Sequence, residues 1–173
     1  MEKSNELNKF LSYIHMGMSI YRIYSEYAEK LEIKSLVNLL TKIETTFKQH
    51  EKEITNLIDD LDEEATKSLT FAGIMGVYKE RLKTFDSAYT ICVNAIKTTN
   101  MGLLSAIKFL EENQELPNNV KASIKKVIND YVNIEVKITD YVLELIWSIS
   151  SFVLLIQNNK KNDIINISIQ VIW

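Results

Sequence analysis

Apolar side chains spaced alternately four and three positions apart run through most of this chain, and a single proline interrupts them. That spacing is the mark of helices that bury one stripe each. In the first segment the stripe is Leu7, Leu11, Ile14, Met18, Tyr21, Ser25 and Ala28, with Ser4 placed to cap its start and Glu6 in the first turn. The second reads Leu36, Leu40, Ile43, Phe47, His50, Ile54, Leu57 and Leu61. A short polar turn through Glu32, Lys34 and Ser35 makes the two an antiparallel hairpin. The third stripe is longer, from Phe71 through Met75, Tyr78, Leu82, Phe85, Tyr89, Cys92, Ile96, Thr99, Leu103 and Ala106 to Leu110. Pro117 lies in the break that follows, because proline lacks a donor N–H and suits a helix start. The fourth runs Val120, Ile124, Val127, Tyr131, Ile134, Ile138, Tyr141 and Leu145; Lys125, Lys126, Asp130, Lys137 and Asp140 lie off it and read as a solvated face.

Four such stripes in 173 residues give one all-α domain with a single core, expected to occupy residues 1–156. Only one Pro and four Gly occur, which favours long helices over a turn-rich sheet. The third stripe, however, is too long for a plain up-and-down bundle. If residues 62–84 instead form a crossover holding Gly73, Gly76 and a short helix, four helices of nearly equal length remain. Asp86 then caps the third of them. A long crossover of this kind is found in ferritin-like bundles.

Four segments, YIHMGMSIYRIY, FKQHEKEITNLIDD, SLTFAGIMGVYKERLKTF and NAIKTTNMGLLSAIKFL, carry a likeness. Over residues 4–145 the chain resembles an uncharacterised bacterial group within the ferritin-like superfamily, known mainly as a domain of unknown function. The resemblance implies a ferritin-like four-helix bundle with a crossover after the second helix, and no particular reaction.

Ferritin-like di-iron centres need a Glu from each of two helices and a Glu-x-x-His from each of the others, so that ligands share an inward face. The two histidines, His15 and His50, are preceded at i−3 by Ser12 and Phe47, and no carboxylate lies between Asp86 and Glu111. The standard centre is therefore not encoded, and no cofactor and no enzymatic activity are expected. His50 still stands out, because it occupies a stripe position that calls for an apolar side chain. One reading is a core histidine bonded to a tyrosine or a carbonyl, with Gly17 packed against its ring. The sharper reading is a transition-metal ligand or proton-transfer group, with Glu44 or Glu51 supplying a carboxylate; those two acids lie seven residues apart on a flanking stripe. His15 lies off the stripe and is expected to be exposed. The on-stripe tyrosines 21, 78, 89, 131 and 141 suggest a polar network within the core, since buried phenols need partners. Cys92, without a basic neighbour, reads as a small core residue. Lys79, Glu80, Arg81 and Lys83 read as a solvated cluster.

The net charge is −3 with signs interspersed, so a nucleic-acid partner is not expected. The opening MEKSNELNKF lacks the apolar core of a signal peptide, and the uncharged stretch 145–159 is shorter than the ~20 apolar residues of a membrane span. A cytoplasmic location is the default expectation. Residues 157–173 form a tail in which IINISIQVIW alternates like a strand; it suits an intermolecular contact, a disordered end or a frame-shifted terminus. The leading expectation is a non-enzymatic bundle acting by association with itself or a protein partner, motivated by apolar surplus near Trp147, Phe152 and Leu155. A metal- or redox-linked protein centred on His50 comes second, and interfacial membrane contact through 145–156 third.

Overall fold

The computed structural model of the chain describes residues 2–170, and side chains from 5 to 148. Among the described residues there are five helices: α1 (Glu2–Lys30), α2 (Lys34–Asp59), α3 (Phe71–Arg81), α4 (Ala88–Glu112) and α5 (Asn118–Gln170). The fold class is all-α, and no strand occurs among the described residues. Internal contacts divide the chain into two units, Met1–Ile138 and Thr139–Trp173, with the boundary inside α5.

In the first unit the core is filled from α1, α2, α4 and the 118–138 part of α5. The second and fourth stripes are its most regular sources. Leu36, Leu40, Ile43, Phe47, His50 and Ile54 are all buried, as are Val120, Ile124, Val127, Tyr131, Ile134 and Ile138. The ends of both stripes differ: on α2 a step of four brings Ile58 inward while Leu61 lies past the helix and is exposed, and on α5 Tyr141 and Leu145 are only half-buried. α1 buries more than one stripe, including Phe10, Ile20, Ile23 and Tyr24, because it packs against α2, α3 and α4 together.

Cross-helix pairs fix the directions. Ser25 meets Glu44 while His15 meets Glu51, so α1 and α2 are antiparallel. Tyr21 meets Thr99 while Phe10 meets Phe109, so α1 and α4 are antiparallel too. It follows that α2 and α4 run the same way, and the chain between them must travel back along the unit. Residues 60–87 do this beside α1: Thr66 bonds Asn8, Thr70 bonds Ser12, Glu80 bonds Tyr24 and Lys83 bonds Tyr27. The short helix α3 lies in this connection, with its glycines on the side toward α1.

Local chemistry sets the ends. α4 is capped by Ser87, whose hydroxyl accepts from the Thr90 N–H while the Thr90 hydroxyl accepts from the Ser87 N–H. Asp86, expected as the cap, instead accepts from the hydroxyls of both residues. Ser4 lies inside α1, which already begins at Glu2. α1 and α2 both end in turns where a non-glycine residue, Glu32 or Asp62, takes a left-handed backbone with φ 56°.

The expected four equal helices are not found, because α5 is far longer than the others. The 164–173 segment, whose alternation suits a strand, is helical as far as Gln170, and Val171, Ile172 and Trp173 lie outside the described residues. A lone strand leaves its backbone groups without partners, whereas a helix satisfies them within the segment.

Candidate functional site

α2 carries the three residues that sequence reading singles out, and its turn of about 100° per residue sends them to different neighbours. Glu44 and Glu51 share the edge that faces α1. There Glu44 accepts from the Ser25 hydroxyl at 2.6 Å, and Glu51 lies 2.9 Å from His15 Nε2. His50 points toward α5, where its Nε2 lies 2.8 Å from Asp130 Oδ2. The structure therefore does not bring His50, Glu44 and Glu51 together. Among the described residues no three His, Cys, Asp or Glu side chains converge as metal ligands would.

The His50 ring is fully buried, with Phe47 and Tyr131 in edge contact at 6.1 and 5.8 Å between centroids. A carboxylate only accepts, so Nε2 carries the proton and donates it to Asp130. Nδ1 then keeps a lone pair, buried and without a partner among the described residues. Burial holds the imidazole pKa below its usual value; the bond to Asp130 pulls the other way without prevailing. The buried ring is thus neutral. Its partner is neither the tyrosine nor the carbonyl expected of a core histidine, but an aspartate read from sequence as mere solvated surface. Gly17 does not seat this imidazole either: a Cβ there would fall 2.7 Å from Cε1 of Phe47.

His15, expected to be exposed, is largely enclosed and borders a cavity of about 500 Å³ between α1, α2 and the stretch 65–69. Arg22, Lys52 and Lys67 stand around it, with the hydroxyls of Ser19, Thr55 and Thr66. The cavity therefore gathers three cationic side chains around the one carboxylate of Glu51, an arrangement suited to holding anions.

A network of hydroxyls crosses from α1 to α3 and α4. Tyr21 bonds Thr99 and the Ala95 carbonyl. Tyr24 donates to Glu80 at 2.7 Å and meets Thr98 at 2.8 Å. Glu80, read as solvated, is buried and pairs with Lys83, which also donates to Asn94. Burial drives the phenol pKa values of Tyr21, Tyr24 and Tyr131 upward, so all three stay protonated. Tyr78 and Tyr89, both on the third stripe, are exposed and take no part. The Cys92 thiol is pushed up to about 11 by burial and is a poor nucleophile at neutral pH.

Sequence reading missed Asp130, Glu80 and Tyr24. A usable signal existed for Glu80: it lies with Gly73 and Gly76 on the side of α3 opposite Phe71, Met75, Tyr78 and Leu82. Glycines on one side of a short helix mark the side that approaches a neighbour.

The chain matches no protein-family model, and no curated protein or solved structure matches it. Among the described residues no helix is long and apolar enough to cross a membrane.

Proposed function

We propose that this chain is a non-enzymatic bundle of ferritin-like architecture, with residues 60–87 as its crossover, that acts by associating with a second copy of itself. The observation that carries this reading is the outward face of α3. Phe71, Ile74, Met75, Tyr78 and Leu82 recur at helical spacing on the side away from α1, with Phe71 80% and Leu82 68% exposed. Apolar surface of this extent marks an interaction site in a globular protein. A single stripe on one short helix is self-complementary about a two-fold axis, the commonest arrangement in oligomers. Trp147, also exposed, and the apolar residues around it on α5 offer a second contact; the side chains of Phe152 and Leu155 lie outside the described residues. A cytoplasmic setting suits a chain whose lone cysteine is buried and unpaired.

Size-exclusion chromatography with light scattering tests the proposal. Wild type is expected to have the mass of a dimer at tens of micromolar, and Phe71→Ser with Leu82→Ser that of a monomer. A wild-type monomer at every concentration reached would remove self-association.

The second reading, a metal- or redox-linked protein, is favoured by one contact, the buried His50 facing Asp130. It has two donors where three or four are usual, since Glu44 and Glu51 are engaged elsewhere. Elemental analysis of wild type beside His50→Ala decides it: metal in the first and none in the second is the outcome this reading requires.

A further inference from the structure

All four glycines of the chain line one cavity. It has a volume of about 290 Å³ and lies between α1, α3 and α4, with Phe47 and Tyr131 at its base. Gly17 is on α1, Gly73 and Gly76 on α3, and Gly102 on α4. None has a positive φ, so none is needed for a turn, and each weakens its helix by roughly four- to fivefold in equilibrium terms relative to alanine. What they supply is space. A Cβ on Gly17 would strike the Phe47 ring, and one on Gly102 would lie 3.2 Å from Cε2 and Cζ of Tyr131. On α3 a Cβ at Gly73 would lie 3.3 Å from Thr70 Oγ1 and 3.5 Å from Leu69 Cβ, while beside Gly76 the one near atom is Sδ of the flexible Met16, 3.3 Å from a Cβ there.

A second observation points to an occupant. Tyr131 is 3% exposed, and no hydrogen bond of its hydroxyl is found among the described residues; the oxygen is not one of the fully enclosed unpartnered atoms, so it keeps access to the cavity it lines. The other inner hydroxyls of the cavity are taken, Thr98 by Tyr24 and Ser105 by the Met101 carbonyl. No Asp, Glu, His, Lys or Arg lines the walls. Charge therefore disfavours an ionic ligand, while the aromatic faces of Phe47 and Tyr131, 5.6 Å apart between centroids, and the thioethers of Met16 and Met101 suit a flat one. The volume is at the small end of the ~300–1,000 Å³ typical of ligand sites.

We propose that this glycine-lined cavity binds a small, neutral, aromatic molecule that carries one hydrogen-bond acceptor, held by the Tyr131 hydroxyl. The site is independent of the outward α3 stripe, because Gly73 and Gly76 face inward where Phe71 and Leu82 face out.

The test uses the neutral fluorophore N-phenyl-1-naphthylamine with the full-length chain. Wild type is expected to take up one equivalent saturably. Gly76→Leu, which fills the cavity and raises helix propensity, should bind at least tenfold more weakly with an unchanged helical circular dichroism spectrum. Ser105→Leu blocks the same space from α4 and guards against an unfolded first variant. Phe71→Ser should bind as wild type does. Displacement by 2-acetylnaphthalene should be roughly two- to tenfold more effective than by 2-ethylnaphthalene, and Tyr131→Phe should erase that difference. No saturable uptake by wild type overturns the proposal, as does full binding by both cavity-filling variants. Loss of binding in Phe71→Ser alone would assign the dye to the outer stripe and overturn it equally.

Discussion

Asp130 sits at a position of α5 where the heptad places solvent, yet its carboxylate, 30% exposed, is among the described residues the one polar partner of a fully buried imidazole. Removing it leaves the His50 Nε2–H without an acceptor, which costs about 1–3 kcal/mol in a buried setting. Asp130→Ala should therefore lower the urea midpoint markedly, while Asp130→Asn, which keeps an accepting oxygen, should lose less. The same pair gives a pH signature. The folded pKa of His50 is depressed, so as pH falls below the free value of about 6.5 the unfolded chain takes up a proton that the folded ring resists. Stability from this source is complete above that value and declines as pH drops through it toward the folded pKa. Glu53 and Lys126 also act on the ring; burial pushes the Glu53 carboxyl up, but its bonds to Lys126 and Ser123 hold it below the usual carboxylate value. Urea midpoints at pH 7.5 and pH 5 should thus differ more in wild type than in His50→Gln; equal differences in the two proteins would refute the assignment.

The helices end less comfortably than they pack. α1 and α2 each close in a turn with the bonding of a Schellman motif: Ile33 N–H donates to the Ala28 carbonyl and Glu32 N–H to Glu29, while Glu63 donates to Ile58 and Asp62 to Asp59. Glycine is the usual residue at the left-handed position, and an L side chain there costs about 1–2 kcal/mol. Part of that would be lost again to the greater freedom of an unfolded glycine. Glu32→Gly and Asp62→Gly should therefore each raise stability by about 0.5–1 kcal/mol, read as a higher urea midpoint at constant slope. This contrast tells what a sequence makes legible. The stripes of α2 and of residues 118–138 were readable because each of those elements buries one face. α1 was readable only in part, since three neighbours bury it on several sides. α3 misled because its apolar stripe points outward, and the outer face of a helix has the same period as the inner one. The candidate site was harder still. That His50 is buried follows from its stripe, but that its partner is Asp130 depends on the rotation of α2 against α5, which a one-dimensional pattern does not contain.

At the scale of the molecule, aromatic rings tie the helices of the first unit into one body. Tyr27 meets Phe85, Phe85 meets Tyr24, Tyr24 meets Tyr21, Tyr21 meets Phe47, and Phe47 meets Tyr131, each pair 4.9–5.6 Å apart between centroids. The series starts on α1 and the crossover and reaches α2 and α5, so loosening one helix disturbs its neighbours, which is the condition for cooperative unfolding. Every residue of the described core lies between Leu7 and Ile138. A chain ending at Glu144 keeps all of them and retains a turn and a half of α5 beyond the last. It should therefore melt in a single transition within a few degrees of full length, since stability follows the buried apolar area that both chains share. Its mass in light scattering locates the contact between copies. The α3 stripe is intact in the shortened chain, whereas Trp147 and everything after it are gone. A dimer that survives truncation assigns association to the crossover, and a monomer that melts like the parent moves it to the far end of α5.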